Sequence, residues 1–140
     1  MEYLASWSID SKESSFEKME SGINARAIDY AKFGRLFLNN GNWNGKQVIS
    51  EDWVKESTIM DICNENDFFV NLDSKVSYKY LWWGYTDDHI SYDYFAAGKY
   101  GQFIYVSPEK RLIIVRNGIK VGQLDVFSWP AIFHEFAVNI

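Results

Sequence analysis

Two apolar runs hinged on a turn constrain this chain most: Tyr94 to Arg116 reads Tyr-Phe-Ala-Ala-Gly-Lys-Tyr-Gly-Gln-Phe-Ile-Tyr-Val-Ser-Pro-Glu-Lys-Arg-Leu-Ile-Ile-Val-Arg. Aromatic and β-branched residues flank Ser107-Pro108-Glu109-Lys110, which predicts a hairpin entered through Gly98 and Gly101. Glycine has no Cβ and tolerates positive φ, so a Gly-x-x-Gly at such a mouth lets the backbone approach a ligand closely. The plainer possibility is that Gly98 to Gly101 is a bulge.

The same texture extends backwards. Tyr78 to Tyr85, Tyr92 to Ala97, Gln102 to Val106 and Leu112 to Val115 are separated by turn residues, the pattern of an antiparallel meander. Upstream, Ile23, Ala27, Tyr30, Ala31, Gly34, Phe37 and Leu38 keep helical spacing, with Asn24 as the expected N-cap and Asn39-Asn40-Gly41 as the stop. Asn42-Trp43-Asn44-Gly45 predicts a tight turn between short extended pieces, and Ser50 caps a second helix beginning Glu51-Asp52-Trp53. Residues 1–22 are expected as a surface loop and residues 60–77 as a long connection. Ser128-Trp129-Pro130 opens a last helix, proline being accommodated in a first turn. The fold class is therefore α+β: an antiparallel sheet of three or four strands, a C-terminal helix packed on it, and an N-terminal helical segment. One domain covers 1–140, with loop and helices over 1–77 and sheet and closing helix over 78–140.

Composition narrows the function. The chain has 140 residues, 47% hydrophobic and 18% aromatic, enough to bury a core. A net charge of −5 provides no electrostatic footprint for nucleic acid. No apolar run approaches the roughly 20 residues of a membrane span, and the start lacks the layout of an export signal, so a soluble chain is expected. Cys63 cannot pair within the chain, and His89, expected in a loop, and His134, expected on the last helix, have no partner at metal-ligand spacing. No metal or other cofactor is expected.

Nucleophile motifs are deceptive here. Ser-x-x-Lys occurs at Ser15–Lys18 and Ser107–Lys110, but the second lies in a hairpin turn and both read as turn and surface residues. No Tyr-x-Asn or Ser-x-Asn occurs, and no Gly-x-Ser-x-Gly anchors a triad. Trp82 and Trp83 with Tyr78, Tyr80 and Tyr85 offer a stacking platform, although strand alternation sends half of them to the core.

Several segments in order resemble a known family. Glu20 to Gly41, then Trp43 to Val54, then Tyr80-Leu81-Trp82-Trp83-Gly84-Tyr85, Ala97-Gly98-Lys99-Tyr100-Gly101-Gln102 and the final helix are similar to the C-terminal portion of class C β-lactamase-related, penicillin-binding-protein-like serine hydrolases, the esterase and amidase group. The resemblance implies that the Ser-x-x-Lys nucleophile and the proton-relaying tyrosine precede this chain, leaving it inactive alone. It implies a third motif near Ala96-Ala97-Gly98, with backbone amides but neither cation nor hydroxyl, and a substrate-facing wall of Ala96, Ala97, Gly98, Lys99, Tyr100, Gly101, Gln102 and Trp82. The implied partners are the N-terminal segment of the same fold and a small ester or amide. An isolated piece with an open sheet edge is expected to form a homo-oligomer or strand-exchanged dimer. The other reading is a non-catalytic binding module built on exposed aromatics.

Overall fold

The computed structural model describes residues 3–18, 21–60, 75–87, 90–120, 122 and 128–140. Cys63, His89 and nearly all of the expected 60–77 connection lie outside them. The first segment is exposed, as a polar loop should be, but it contains a small ribbon: β1 (Ser6–Trp7) pairs antiparallel with β2 (Ile23–Asn24). The Trp7 ring N–H closes the excursion between them, donating to Lys18 O at 2.8 Å and Ser21 O at 3.0 Å.

That ribbon displaces the expected helix cap. Helix α1 spans Ala27–Leu38, and Arg26 stands at its N-cap in an extended conformation without a side-chain cap bond. Asn24 pairs with Ser6 instead, and its amide donates to Gly22 O at 3.2 Å. The predicted stop holds: Gly41 N–H reaches back to Leu36 O at 2.8 Å, with Asn40 and Gly41 at φ of 51° and 79°. Strands β3 (Asn42–Trp43) and β4 (Lys46–Gln47) flank Asn44-Gly45, both at positive φ, the turn that matches strand twist. Ser50 caps α2 (Glu51–Thr58), its hydroxyl accepting from Trp53 N–H at 3.2 Å.

The second half is the sheet. β5 (Val76–Lys79), β6 (Trp82–Tyr85), β7 (Asp93–Gly98), β8 (Gln102–Ser107) and β9 (Leu112–Arg116) form a 5-stranded antiparallel meander in sequence order. It has a strand more than the residue pattern indicates, because the run from Tyr78 to Tyr85 folds back at Tyr80-Leu81. Both turn residues take positive φ, 48° and 70°, without the glycine or asparagine that announces such a turn. Helix α3 (Ser128–Val138) closes the chain, with Pro130 buried in its first turn.

Helices cover both faces of the sheet. Phe37 of α1 and Val54 of α2 pack with Trp82, Tyr94 and Val106 on one face, while Phe133 of α3 packs with Tyr85, Phe95, Phe103 and Tyr105 on the other. Neighbours such as Tyr94 and Phe95 fall in opposite clusters because side chains alternate along a strand. Gly34 sets the approach of α1: a Cβ there would come within 3.0 Å of Ile113 Cγ2 and 3.1 Å of Ile104 Cγ2. Burying side chains of this size contributes about 1.5–3 kcal/mol each. Among the described residues no helix is long and apolar enough to cross a membrane.

Candidate functional site

The end of β7 is left open by the sheet's register. β6 pairs with Asp93 to Phe95 only, whereas β8 pairs with Tyr94 to Gly98, so among the described residues no strand covers Ala96 to Gly98 on the β6 side. Successive residues of an antiparallel strand point their N–H and C=O to opposite sides; because Phe95 faces β6 across Trp83, Ala97 presents its backbone donor and acceptor to the open side, while Ala96 and Gly98 face Ile104 and Gln102 of β8. Beside this overhang is a groove of about 670 Å³ between the β1–β2 ribbon, α1 and the β7–β8 mouth. A smaller hollow of about 170 Å³ adjoins it, sharing Tyr30, Ala96, Gly98 and Gln102 and adding Arg116.

Each wall is held in place by identifiable contacts. The Tyr30 hydroxyl donates to Ile23 O at 2.6 Å, tying the ribbon to α1. At the mouth, Tyr100 and Gly101 take φ of 66° and 74°, so it is Gly101 rather than Gly98 whose backbone calls for glycine. The Arg116 guanidinium donates to Gly101 O, to Tyr100 O at 3.4 Å and to Lys120 O at 3.1 Å, while lying 4.3 Å over the Trp129 ring. Gly118 permits this crossing, since a Cβ there would sit 2.6 Å from Tyr100 O.

The expected wall residues separate into groups. Ala96, Gly98, Lys99 and Gln102 line the groove, and Ala97 joins them at the smaller hollow. Tyr100 and Gly101 form the turn behind, where they position the mouth instead of lining the groove. Trp82 does not belong to the groove: it is 7% exposed, packed against Phe33 and Phe37 of α1. Strand alternation aimed it at the core rather than at the cleft. The same burial takes Tyr85 out of the expected aromatic platform, and Tyr78 packs on the partly buried Trp83 at 4.5 Å, whereas Tyr80 stays exposed beside Trp53 at 5.1 Å, away from the groove. Trp7, Tyr30 and Phe33 line the groove and Arg116 the adjoining hollow, none of them marked as a site residue by the sequence pattern; they come from the ribbon, α1 and β9, which only tertiary folding brings together.

Neither Ser-x-x-Lys is placed to act as a nucleophile pair. Ser15 is in a turn at φ 54°, and Ser107 is buried at the end of β8 with Lys110 in the following turn. A different polar cluster lies under α3. The buried Asp93 carboxylate accepts the Tyr105 hydroxyl and meets His134 Nδ1 at 2.8 Å. Burial, and then the hydrogen bond to Asp93, pushes the Tyr105 phenol far up. His134 is on the last helix as expected, on the face of the sheet opposite the groove, where the pair ties α3 to β7. Among the described residues, no three His, Cys, Asp or Glu side chains gather as metal ligands.

No family model matches the chain. It is 27% identical over 123 residues to the 6-aminohexanoate-dimer hydrolase of Paenarthrobacter ureafaciens, across 84% of this chain but 28% of that protein. A Bacillus anthracis protein given the same hydrolase name superposes with a TM-score of 0.76 at 25% identity, covering 96% of this chain and 34% of that one. The chain thus spans about a third or less of the length of these relatives. Both likenesses bear out the resemblance to β-lactamase-related serine hydrolases and the α+β fold expected from it.

Proposed function

We propose that this chain, whose fold is that of the β-lactamase-like serine hydrolases, forms one wall of a hydrolase cleft and needs a nucleophile from outside residues 1–140. The overhang of β7 beyond β6 is the observation that carries this reading. In acyl-enzyme hydrolysis a serine oxygen adds to the ester or amide carbonyl, the alcohol or amine departs with a proton, and water then releases the acid. The developing oxyanion is stabilised by preorganised backbone N–H groups, and the open edge at Ala97 offers such a group beside a groove flanked by α1 and the ribbon. The relatives' shared name, a hydrolase of an amide-linked dimer, favours an amide or ester. The chain's own Ser-x-x-Lys matches stand away from helix starts, which supports a nucleophile supplied by an N-terminal segment of the same fold.

The test joins this chain to an upstream segment carrying Ser-x-x-Lys and Tyr-x-Asn and follows p-nitrophenyl butyrate hydrolysis. Activity is expected in the joined polypeptide only, and Ala97→Pro, which removes the backbone N–H facing the open side of the overhang, should lower kcat about 100-fold, as loss of an oxyanion donor does. Full activity in the proline variant, or activity of residues 1–140 by themselves, contradicts the reading.

A further inference from the structure

The groove has an unusual side-chain balance. Trp7, Ile23, Phe33 and Ile119 are 48%, 39%, 43% and 87% exposed, and all of them line it. Apolar side chains scattered singly over a surface need no explanation, whereas several converging on one concavity mark a ligand site. Ser8, Asn24, Gln102 and Asn117 add neutral donors and acceptors, and Lys99 is the one charged side chain among the described residues that line the groove. Among the described residues no carboxylate lines it, although the chain carries 19 acids against 14 bases. Charge complementarity therefore disfavours a cation there and admits a neutral or anionic occupant.

Trp7 is the best-prepared of these apolar surfaces. A tryptophan ordinarily offers a ring face and a polar N–H, but here the N–H is used inside the ribbon, on Lys18 O and Ser21 O. What remains toward the groove is apolar ring, fixed in orientation before any ligand arrives. The ribbon that carries it is close-packed: a Cβ at Gly22 would lie 3.0 Å from Ser8 Cβ, and Tyr30 anchors Ile23 from α1. A pre-positioned aromatic face costs a ligand little ordering entropy. Tryptophan faces also attract cations, but Lys99 in the same groove opposes that use.

We propose that Trp7 is a specificity-determining residue of the groove, its tethered indole packing against an apolar acyl chain of a neutral amide or ester whose carbonyl lies at the open edge beside Ala97. This rests on the hydrolase reading and adds to it the class of acyl group.

The isolated chain, labelled with nitrogen-15, is titrated with N-butylhexanamide, and with hexyltrimethylammonium as the cationic control, while the Trp7 indole and the Gly98 and Gln102 amides are followed by NMR. Saturable shifts at all these positions with the amide, little response to the ammonium ion, and an affinity about tenfold weaker in Trp7→Ala are expected, from the apolar area the ring covers. Trp7→Phe keeps a ring but loses the tether bonds, so its affinity should fall between those of wild type and Trp7→Ala, whereas a merely structural Trp7 would make both variants weaken alike. Shifts at Gly98 and Gln102 with no change at Trp7, equal weakening in the two variants, or Trp7→Ala binding as wild type would overturn the assignment and leave the cleft reading standing. Preferred binding of the ammonium ion would overturn it as well. No saturable shift at Gly98 and Gln102 would remove the cleft reading, and this inference with it.

Discussion

Gly34 and Asp93 show how single positions hold the layers together. The face of α1 meets the sheet at Gly34 with no room for a side chain, so Gly34→Leu should destabilise by about 1–3 kcal/mol, seen as a lower urea midpoint with unchanged slope. An unaffected midpoint would mean that α1 does not rest on Ile104 and Ile113. On the other face, Asp93→Ala leaves the Tyr105 hydroxyl buried without its acceptor and strips His134 of its partner. A loss of about 2–3 kcal/mol is expected by thermal denaturation, because hydrogen bonds to a charged group exceed neutral ones. A loss below about 0.5 kcal/mol, the range of an ordinary surface change, would contradict that role. Gly34 was visible in the sequence as part of an apolar stripe, since helical spacing alone places it. The Asp93–Tyr105–His134 cluster was not, because it joins residues 12 and 41 apart along the chain through strand pairing and helix docking.

At the scale of elements, local chemistry decided what could be read in advance. Ser50 before two acids, Asn44-Gly45 between short extended pieces and Pro130 in a first helical turn each carry a backbone requirement in one or two residues, and each stands where that requirement predicts. The β5–β6 turn carries no such mark. Tyr80 and Leu81 are forced into the left-handed region by the strands on either side, and Leu81 is 65% exposed. Leu81→Gly should therefore stabilise the protein by about 0.5–1 kcal/mol, relieving a conformation that costs L-residues roughly 1–2 kcal/mol. Calorimetry showing a lower melting temperature would contradict the turn. The β1–β2 ribbon was equally hidden, because strands of 2 residues are too short for alternation to register. It is also the element that took Asn24 from its expected cap and brought Trp7 to the groove.

The whole molecule combines a well-filled sheet with exposed features that need company. Tyr92, Tyr94 and Tyr105 all have phenols pushed above the ordinary tyrosine value of 10.0, mainly by burial. A phenol that holds its proton more tightly when folded stabilises the fold below its unfolded pKa and loses that contribution as pH rises toward the folded one. Stability should thus fall steeply above about pH 10, with the phenolate absorbance of these three tyrosines appearing only as the chain unfolds. Free titration of all the tyrosines in the folded state near pH 10 would contradict their burial. β9 stands at the sheet's edge, and apolar Ile132, Phe136 and Val138 are exposed on α3, so we expect the isolated chain to self-associate, read by light scattering as a mass that grows with concentration. A monomer at all concentrations would argue against an uncovered interface. Both features suit a chain that matches about a third of its relatives' length, and they agree with the proposal that it forms one side of a cleft. The most direct measurement of that account is fluorophosphonate labelling with the adduct located by mass spectrometry, on residues 1–140 alone and on the polypeptide joined to a Ser-x-x-Lys segment. The account predicts no adduct on the chain alone and, in the joined polypeptide, an adduct on the supplied serine; an adduct on any serine within residues 1–140 would contradict it.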